Sequence, residues 1–432
     1  MNGKHGEVGS RAHGRRGQRV ATSDSRHTQR VLCAPALLAA LLLGLVGTDG
    51  SASATNVSAH GSVPAASPTS RAPLACGEPK LLSLGEKVPT TDLAAVDFLT
   101  PNSGLALITS GLSCTATTSA TAKEPVGLAR STDGGHSWVV VSATGPRNVT
   151  TNSYQPITLA FSSTTTGWVS ANGTLAETVD GGHHWSSVRL GPGQVLTVAR
   201  VGSVIEAVTS GPSYLWTLSL PNGHWRHSAP IPTMVGSNAN AESLELTSLG
   251  PEPSHAVVAT RKYGDEAPEL AVTTNSGTSW SSVGDPCSSW VTVGALTQSS
   301  DGEIALVCDG GAAAGSGTRG FYVSTNRGRS WMLRAADTNL AGPNPSGLDL
   351  QDSDTALVSP LPGRFLDATE NLLSASVDGG RHWKRVASSA DWGPIGLPGI
   401  GGFDVLNATH VWLLARGVQL LGTTNGITWV PL

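Results

Sequence analysis

The octet STDGGHSW, Ser131 to Trp138, decides how the rest of the chain is read. It packs a hydroxyl, a carboxylate, paired glycines and an imidazole together, as a catalytic cluster would. The chain then repeats it as TVDGGHHW (Thr178 to Trp185), TTNSGTSW (Thr273 to Trp280), STNRGRSW (Ser324 to Trp331) and SVDGGRHW (Ser376 to Trp383). An active site is normally assembled once per domain, whereas a structural unit recurs. The octet therefore reads as architecture.

Tryptophan sets the period. A shortened form, TTNGITW, ends at Trp429, and LPNGHW, ending at Trp225, reads as a degenerate member. The seven tryptophans are spaced by 47, 40, 55, 51, 52 and 46 residues. Such a period, punctuated by Asn-Gly and Asp-Gly turns, predicts radial repetition of four-stranded units: an all-β, single seven-bladed β-propeller over residues 78–432. In the second unit, ITLAFSS, TTTGWVSA, GTLAETV and WSSVRL alternate apolar and polar residues as four strands should. The last unit repeats this as GGFDVLN, ATHVWLLA, VQLLGTT and WVPL. The segment from Lys80 to Val88 is expected to join the last blade and close the ring.

Each octet position has a physical task. Ser131, Thr178, Thr273, Ser324 and Ser376 offer a hydroxyl at the end of the third strand. Asp133, Asp180, Asn275, Asn326 and Asp378 can accept hydrogen bonds from nearby backbone N–H groups. Gly135, Gly182, Gly277, Gly328 and Gly380 supply positive φ without penalty. Trp138, Trp185, Trp280, Trp331, Trp383 and Trp429 bury large surfaces between sheets. His136, His183, His184 and His382 fall inside these turns, where other copies carry Thr, Ser or Arg, so they read as solvated turn residues.

The pattern Ser/Thr-x-Asp/Asn-x-Gly-x-x-Trp resembles the Asp-box (BNR) repeat of the sialidase-like superfamily. It is shared by sialidases, some endoglucanases, sortilin-like receptors and photosystem II assembly-factor-like propellers. The texture of the second repeat is most similar to the assembly-factor-like group. The resemblance implies boxes on the propeller rim, away from any active site. It also implies, for the assembly-factor group, protein binding through an arginine-rich patch on one face. Arg327, Arg329 and Arg381 stand within boxes here, and Arg334 and Arg385 follow two of them.

The N-terminus reads as an export signal. Residues 1–30 carry seven Lys or Arg against two acids, and an apolar run of 16 residues from Val31 to Val46 precedes the small residues Ala52 and Ala54. Residues 1–54 are thus expected to be a signal peptide, cleaved after Ala54 or retained as an anchor. Residues 55–77, rich in Ser, Ala and Pro, read as a flexible tether. Residues 55–432 hold 20 basic and 28 acidic residues, a balance that disfavours nucleic acid and anionic membrane as partners. Membrane contact is expected only through an uncleaved leader. Cys76, Cys114, Cys287 and Cys308 are an even set in an oxidising compartment. Of the three possible pairings, Cys76–Cys114 and Cys287–Cys308 keep each bridge near one repeat. No spacing suggests a metal site, and no cofactor is expected.

Function is sought on the face opposite the octets, where long loops gather. Its candidate ligand-binding residues are Arg261, Lys262, Tyr263, Asp265, Glu266, Arg319, Arg364, Asp367 and Glu370. The expectation is a secreted or envelope-associated monomer without catalysis, a binding or assembly module for a protein or glycan. The alternative is a glycoside hydrolase, sialidase-like or endoglucanase-like, using acids such as Asp265 with Glu266 or Asp367 with Glu370. Against it, the Arg-Ile-Pro-like element that sialidases carry ahead of their first box is missing, and one ring cannot form the cleft between tandem propellers.

Overall fold

A computed structural model describes residues 82–109, 126–146, 157–210, 213–221, 223–232, 246–249, 255–260, 269–288, 292–299, 301–313, 316–337, 356–368, 372–388, 400–415 and 419–432. All lie in the compact unit Arg71–Leu432. The expected leader and tether, and Cys76 and Cys114, fall outside these residues.

Alternating apolar residues between Gly-rich turns give seven antiparallel sheets in chain order. Blade 1 runs through Leu93–Phe98, Gly104–Thr109, Val126–Ser131 and Trp138–Ser142, and blade 2 through Thr158–Phe161, Gly167–Ala171, Thr174–Thr178 and Ser186–Val188. Blade 3 uses Gln194–Val201, Val204–Ser210, Tyr214–Ser219 and Arg226–His227, and blade 4 Leu246–Leu249, Ala256–Thr260, Glu269–Thr273 and Ser281–Val283. Blade 5 uses Thr292–Gln298, Ile304–Ala313, Ser316–Ser324 and Met332–Asp337. Blade 6 uses Ala356–Leu361, Arg364–Ala368, Leu372–Ser376 and Lys384–Ser388, and blade 7 Ile400–Val405, Val411–Ala415, Gln419–Thr423 and Val430–Pro431. The degenerate repeat ending at Trp225 does supply a full blade, the third.

The first strand of each blade contacts the first strand of the next, and that of blade 7 contacts that of blade 1, so the ring is closed. The core lies between blades. Phe321 of blade 5, for example, meets Phe365 and Trp383 of blade 6 with ring centroids 5.2 and 5.1 Å apart. Each boundary between neighbouring blades holds an apolar cluster drawn from both, which is why each blade needs a neighbour on either flank.

Closure differs from the expectation. Lys87–Val88 pairs not with blade 7 but with the outer strand of blade 1, Lys87 opposite Val139 and Val88 opposite Trp138, as a fifth strand. The physical reason is packing: Val88 and Leu82 bury against Val140 and Trp138 of that blade. Blade 7 already takes its outer strand from its own unit, and Pro431 there has no N–H to offer a further strand.

Among the described residues no strand is shared across the seam between blades 7 and 1, and side chains hold it. Trp412 stacks on Phe98 with centroids 3.6 Å apart, and its indole N–H donates to Gly134 O at 3.1 Å. The Phe98 N–H donates to Asp404 Oδ2 at 2.5 Å.

The pairing Cys287–Cys308 is formed, with both residues fully buried. It ties the link after blade 4 to the second strand of blade 5, closing 21 residues, a loop whose closure contributes about 3 kcal/mol.

Candidate functional site

The octets have one shared geometry. In the first, the Ser131 hydroxyl accepts the Gly135 N–H at 2.8 Å and donates to Asp133 Oδ1 at 2.8 Å. Asp133 Oδ1 accepts the Ser137 N–H at 2.9 Å, and its other oxygen takes the Ser137 hydroxyl at 2.6 Å. Thr178 with Asp180, Thr273 with Asn275, Ser324 with Asn326 and Ser376 with Asp378 repeat the arrangement.

The turn histidines His183, His184 and His382 are exposed, as expected, and two of them also bond within their turns. The His184 and His382 rings contact Asp180 and Asp378 at 2.6 Å, where serine hydroxyls serve in other octets. Their carboxylates are held at about 2: the His184 N–H is the main cause for Asp180, and the His382 N–H for Asp378. Burial of Asp133 pushes upward but is outweighed by the Ser137 hydroxyl and N–H, leaving it also at about 2. These acids are spent on structure rather than poised for proton transfer.

Each octet is also a joint between blades. Gly380 sits so close to Phe321 of blade 5 that a Cβ would lie 2.2 Å from the ring, and Gly328 meets Val283 of blade 4 in the same way. The Trp280 indole donates to Ala229 O at the end of blade 3, and that of Trp331 to Gly284 O at the end of blade 4. The Trp138 and Trp383 indoles instead donate within their own turns, to Gly135 O and Gly380 O.

The candidate loop residues separate. Arg261, Lys262, Tyr263, Asp265, Glu266 and Glu370 lie outside the described residues. Arg319 and Asp367 are not loop residues: they stand within strands of blades 5 and 6, each 2% exposed. The apolar alternation of Phe321 and Phe365 carries them into the interblade layer rather than onto a loop surface. Arg364 begins the second strand of blade 6 beside Gly363, whose carbonyl accepts the Gly379 N–H at 2.9 Å. It therefore belongs to the octet face, not the face expected.

Basic residues gather in sequence around the octets of blades 5 and 6. Arg327, Arg329, Arg381, Lys384 and Arg385 are exposed on blades 5 and 6, with Arg334 and Arg364 half-buried among them. A chain of contacts joins the two sets across the blade boundary. The Arg327 side chain lies against Gly302, the neighbouring Glu303 accepts the Gly363 N–H at 2.7 Å, and Gly363 bonds Gly379 beside Arg381.

Sequence reading missed the buried acids. Asp97 of blade 1 accepts the Phe161 N–H of blade 2, and Arg200 of blade 3 donates to Phe98 O at 3.1 Å while lying 3.7 Å from Asp97. Burial pushes Asp97 up to about 6 against the pull of Arg200. Burial, then the Asp97 charge, raise Asp404 well above the usual carboxylate range. Glu206, inside the second strand of blade 3, is fully buried with neither carboxylate oxygen partnered among the described residues, and burial pushes it up to about 8. Only its polar place in the apolar run VIEAVTS marks it in sequence. A groove of about 370 Å³ also opens at the seam, lined by Asn102, Asp133 and His136 of blade 1 and His410, Asn425 and Thr428 of blade 7. Among the described residues, no cluster of three metal-ligating side chains exists.

Comparison with known proteins speaks to fold. No family model matches the chain. No curated protein is similar to it in sequence. Among solved structures, it is similar to YCF48 from Cyanidioschyzon merolae at 15% identity and a TM-score of 0.50, covering 79% of this chain and 99% of that one. An ancestral GH74 enzyme gives 13% identity and a TM-score of 0.54 over 82% of this chain, which spans only 47% of that enzyme. YCF48 bound to D1 peptide aligns at 16% identity with a TM-score of 0.49, over 80% of this chain and 98% of that one. At such identities the shared property is the propeller itself.

Proposed function

We propose that this protein is an exported, non-catalytic propeller of the Asp-box type that binds a protein partner at the cell envelope. The supporting observation is the cationic rim of blades 5 and 6. Five exposed Lys or Arg side chains converge there on a chain whose formal charge is −4. Such a concentration attracts an acidic segment of a partner and speeds its encounter. The partner is a protein rather than nucleic acid, because the cations form a compact rim patch on an otherwise acidic body rather than a track along a groove. The hydroxyl and carboxylate pattern of the octets, repeated with one geometry, supports the Asp-box assignment. The apolar run from Val31 to Val46 supports export.

The test is charge reversal. The protein, crosslinked in host envelope, should capture a partner whose yield falls as salt rises. Reversing Arg381, Lys384 and Arg385 together should abolish that capture while leaving the circular dichroism spectrum intact. Salt-independent capture untouched by the reversal, or turnover of sialyl or β-glucan substrates, overturns the reading.

A further inference from the structure

The outer strands can be compared position by position, using the octet tryptophan as origin. In blade 1 the two residues after Trp138 are Val139 and Val140, and the chain's own segment covers them. The Gly85 N–H donates to Val140 O at 2.9 Å and the Val140 N–H to Glu86 O at 2.8 Å, leaving Val140 only 2% exposed. This fold therefore accepts an added strand at that edge.

At the same two places, four other blades offer a poorer edge: the outer strands of blades 2 and 4 are only three residues long, and those of blades 3 and 6 carry charged or polar residues. Blade 2 has Ser186 and Ser187, blade 3 Arg226 and His227, and blade 4 Ser281 and Ser282. Blade 6 has Lys384 and Arg385, both exposed. Charges on an edge strand are a standard obstacle to further pairing. Blade 7 has Val430 followed by Pro431, which lacks the N–H a ladder needs.

Blade 5 is the exception. Its residues are Met332 and Leu333, 42% and 52% exposed, on an outer strand of six residues, the longest of the seven. Tyr322 pairs with Leu333 as Ala129 pairs with Val140, and a bulge follows at the same point in both blades. The Leu333 N–H and C=O thus take the outward orientation seen for Val140. Among the described residues, no strand lies beyond Met332–Asp337. The edge is flanked by Arg329, exposed, and Arg334, half-buried.

We propose that the outer edge of blade 5 receives an extended acidic segment of the partner protein as a fifth strand, as blade 1 receives Lys87–Val88. Backbone bonds to Leu333 hold the segment, its aliphatic side chains cover Met332 and Leu333, and its carboxylates meet the exposed Arg329. This rests on the binding role proposed above and adds the mode of recognition.

The probe is a short peptide alternating glutamate and valine, with a lysine–valine peptide as control. Binding of the acidic peptide to the full chain should slow exchange of the Leu333 amide, and the basic peptide should not. Leu333→Pro should weaken binding by roughly tenfold or more. That variant should fold, since Pro431 holds the same place in blade 7. Leu333→Lys, which keeps the N–H but blunts the edge, should weaken binding to a smaller extent. Unchanged affinity in Leu333→Pro, or binding without protection at Leu333, overturns the proposal. So does a Leu333 amide already protected in the free monomer, which assigns the edge to the chain's own segments. A dimer lost in Leu333→Pro assigns it to a second copy instead, and also overturns it. If envelope capture is lost on reversing Lys384 and Arg385 but persists in Leu333→Pro, the binding role stands and the added strand falls. If neither change affects capture, both fall.

Discussion

Gly380 shows what the octet asks of a single residue. Its φ is 79°, and the space a Cβ would take belongs to Phe321 of the neighbouring blade. Gly380→Ala should therefore cost at least about 2 kcal/mol, from backbone strain and displaced packing together, measured by denaturant unfolding. One position earlier the demand is conformational only: Arg327 holds φ of 61° without such crowding, so Arg327→Gly should leave stability unchanged or raise it by up to about 1 kcal/mol. Glu206 gives a pH prediction. Its folded pKa, about 8, is above the ordinary glutamate value, so the folded state holds a proton that the unfolded chain releases at lower pH. The stability associated with that proton is fully present below about 4.5 and is lost as pH rises through about 8. Melting temperature should thus decline from pH 5 to 9 in the wild type and decline less in Glu206→Gln. At pH 9 the variant should be the more stable, by on the order of a few kcal/mol.

The octet turn and the outer strand are the elements that decide most. Ser376 satisfies the Gly380 N–H and orients Asp378 through one hydroxyl. Ser376→Ala removes both bonds from a buried position and should cost about 1–3 kcal/mol in chemical denaturation. The turn network of the octets was legible in sequence because its partners lie within a few residues: a hydroxyl, a carboxylate and a glycine at fixed offsets; the partners of the Trp280 and Trp331 indoles, about fifty residues away, were not. The strands of blades 2 and 7 were legible for the same reason, since alternation is a local signal. The loop residues were not. Arg319 and Asp367 look like loop charges beside Gly and Pro, yet the strands of blades 5 and 6 extend through them and turn them inward. Nothing local distinguishes a strand that ends before a charged residue from one that carries it into an interface.

At the scale of the whole ring, closure is the property most exposed to perturbation. With no strand among the described residues bridging blades 7 and 1, Trp412 carries several of the contacts: the stack on Phe98, the bond to Gly134 O and part of the shared core. Trp412→Ala should cost about 3–5 kcal/mol and should raise amide exchange first in blades 7 and 1, before the ring as a whole.

Sequence alone determined the number of blades and their order, because the repeat writes a short-range hydrogen-bond network five times in full and once in shortened form, and a tryptophan at the same period marks the remaining blade. Where the N-terminal strand docks, which charges are buried and which outer edge stays open were decided only by tertiary structure. Each of those depends on what the adjoining blade presents across the interface, and that neighbour is some fifty residues away along the chain, a distance over which local pattern carries no information.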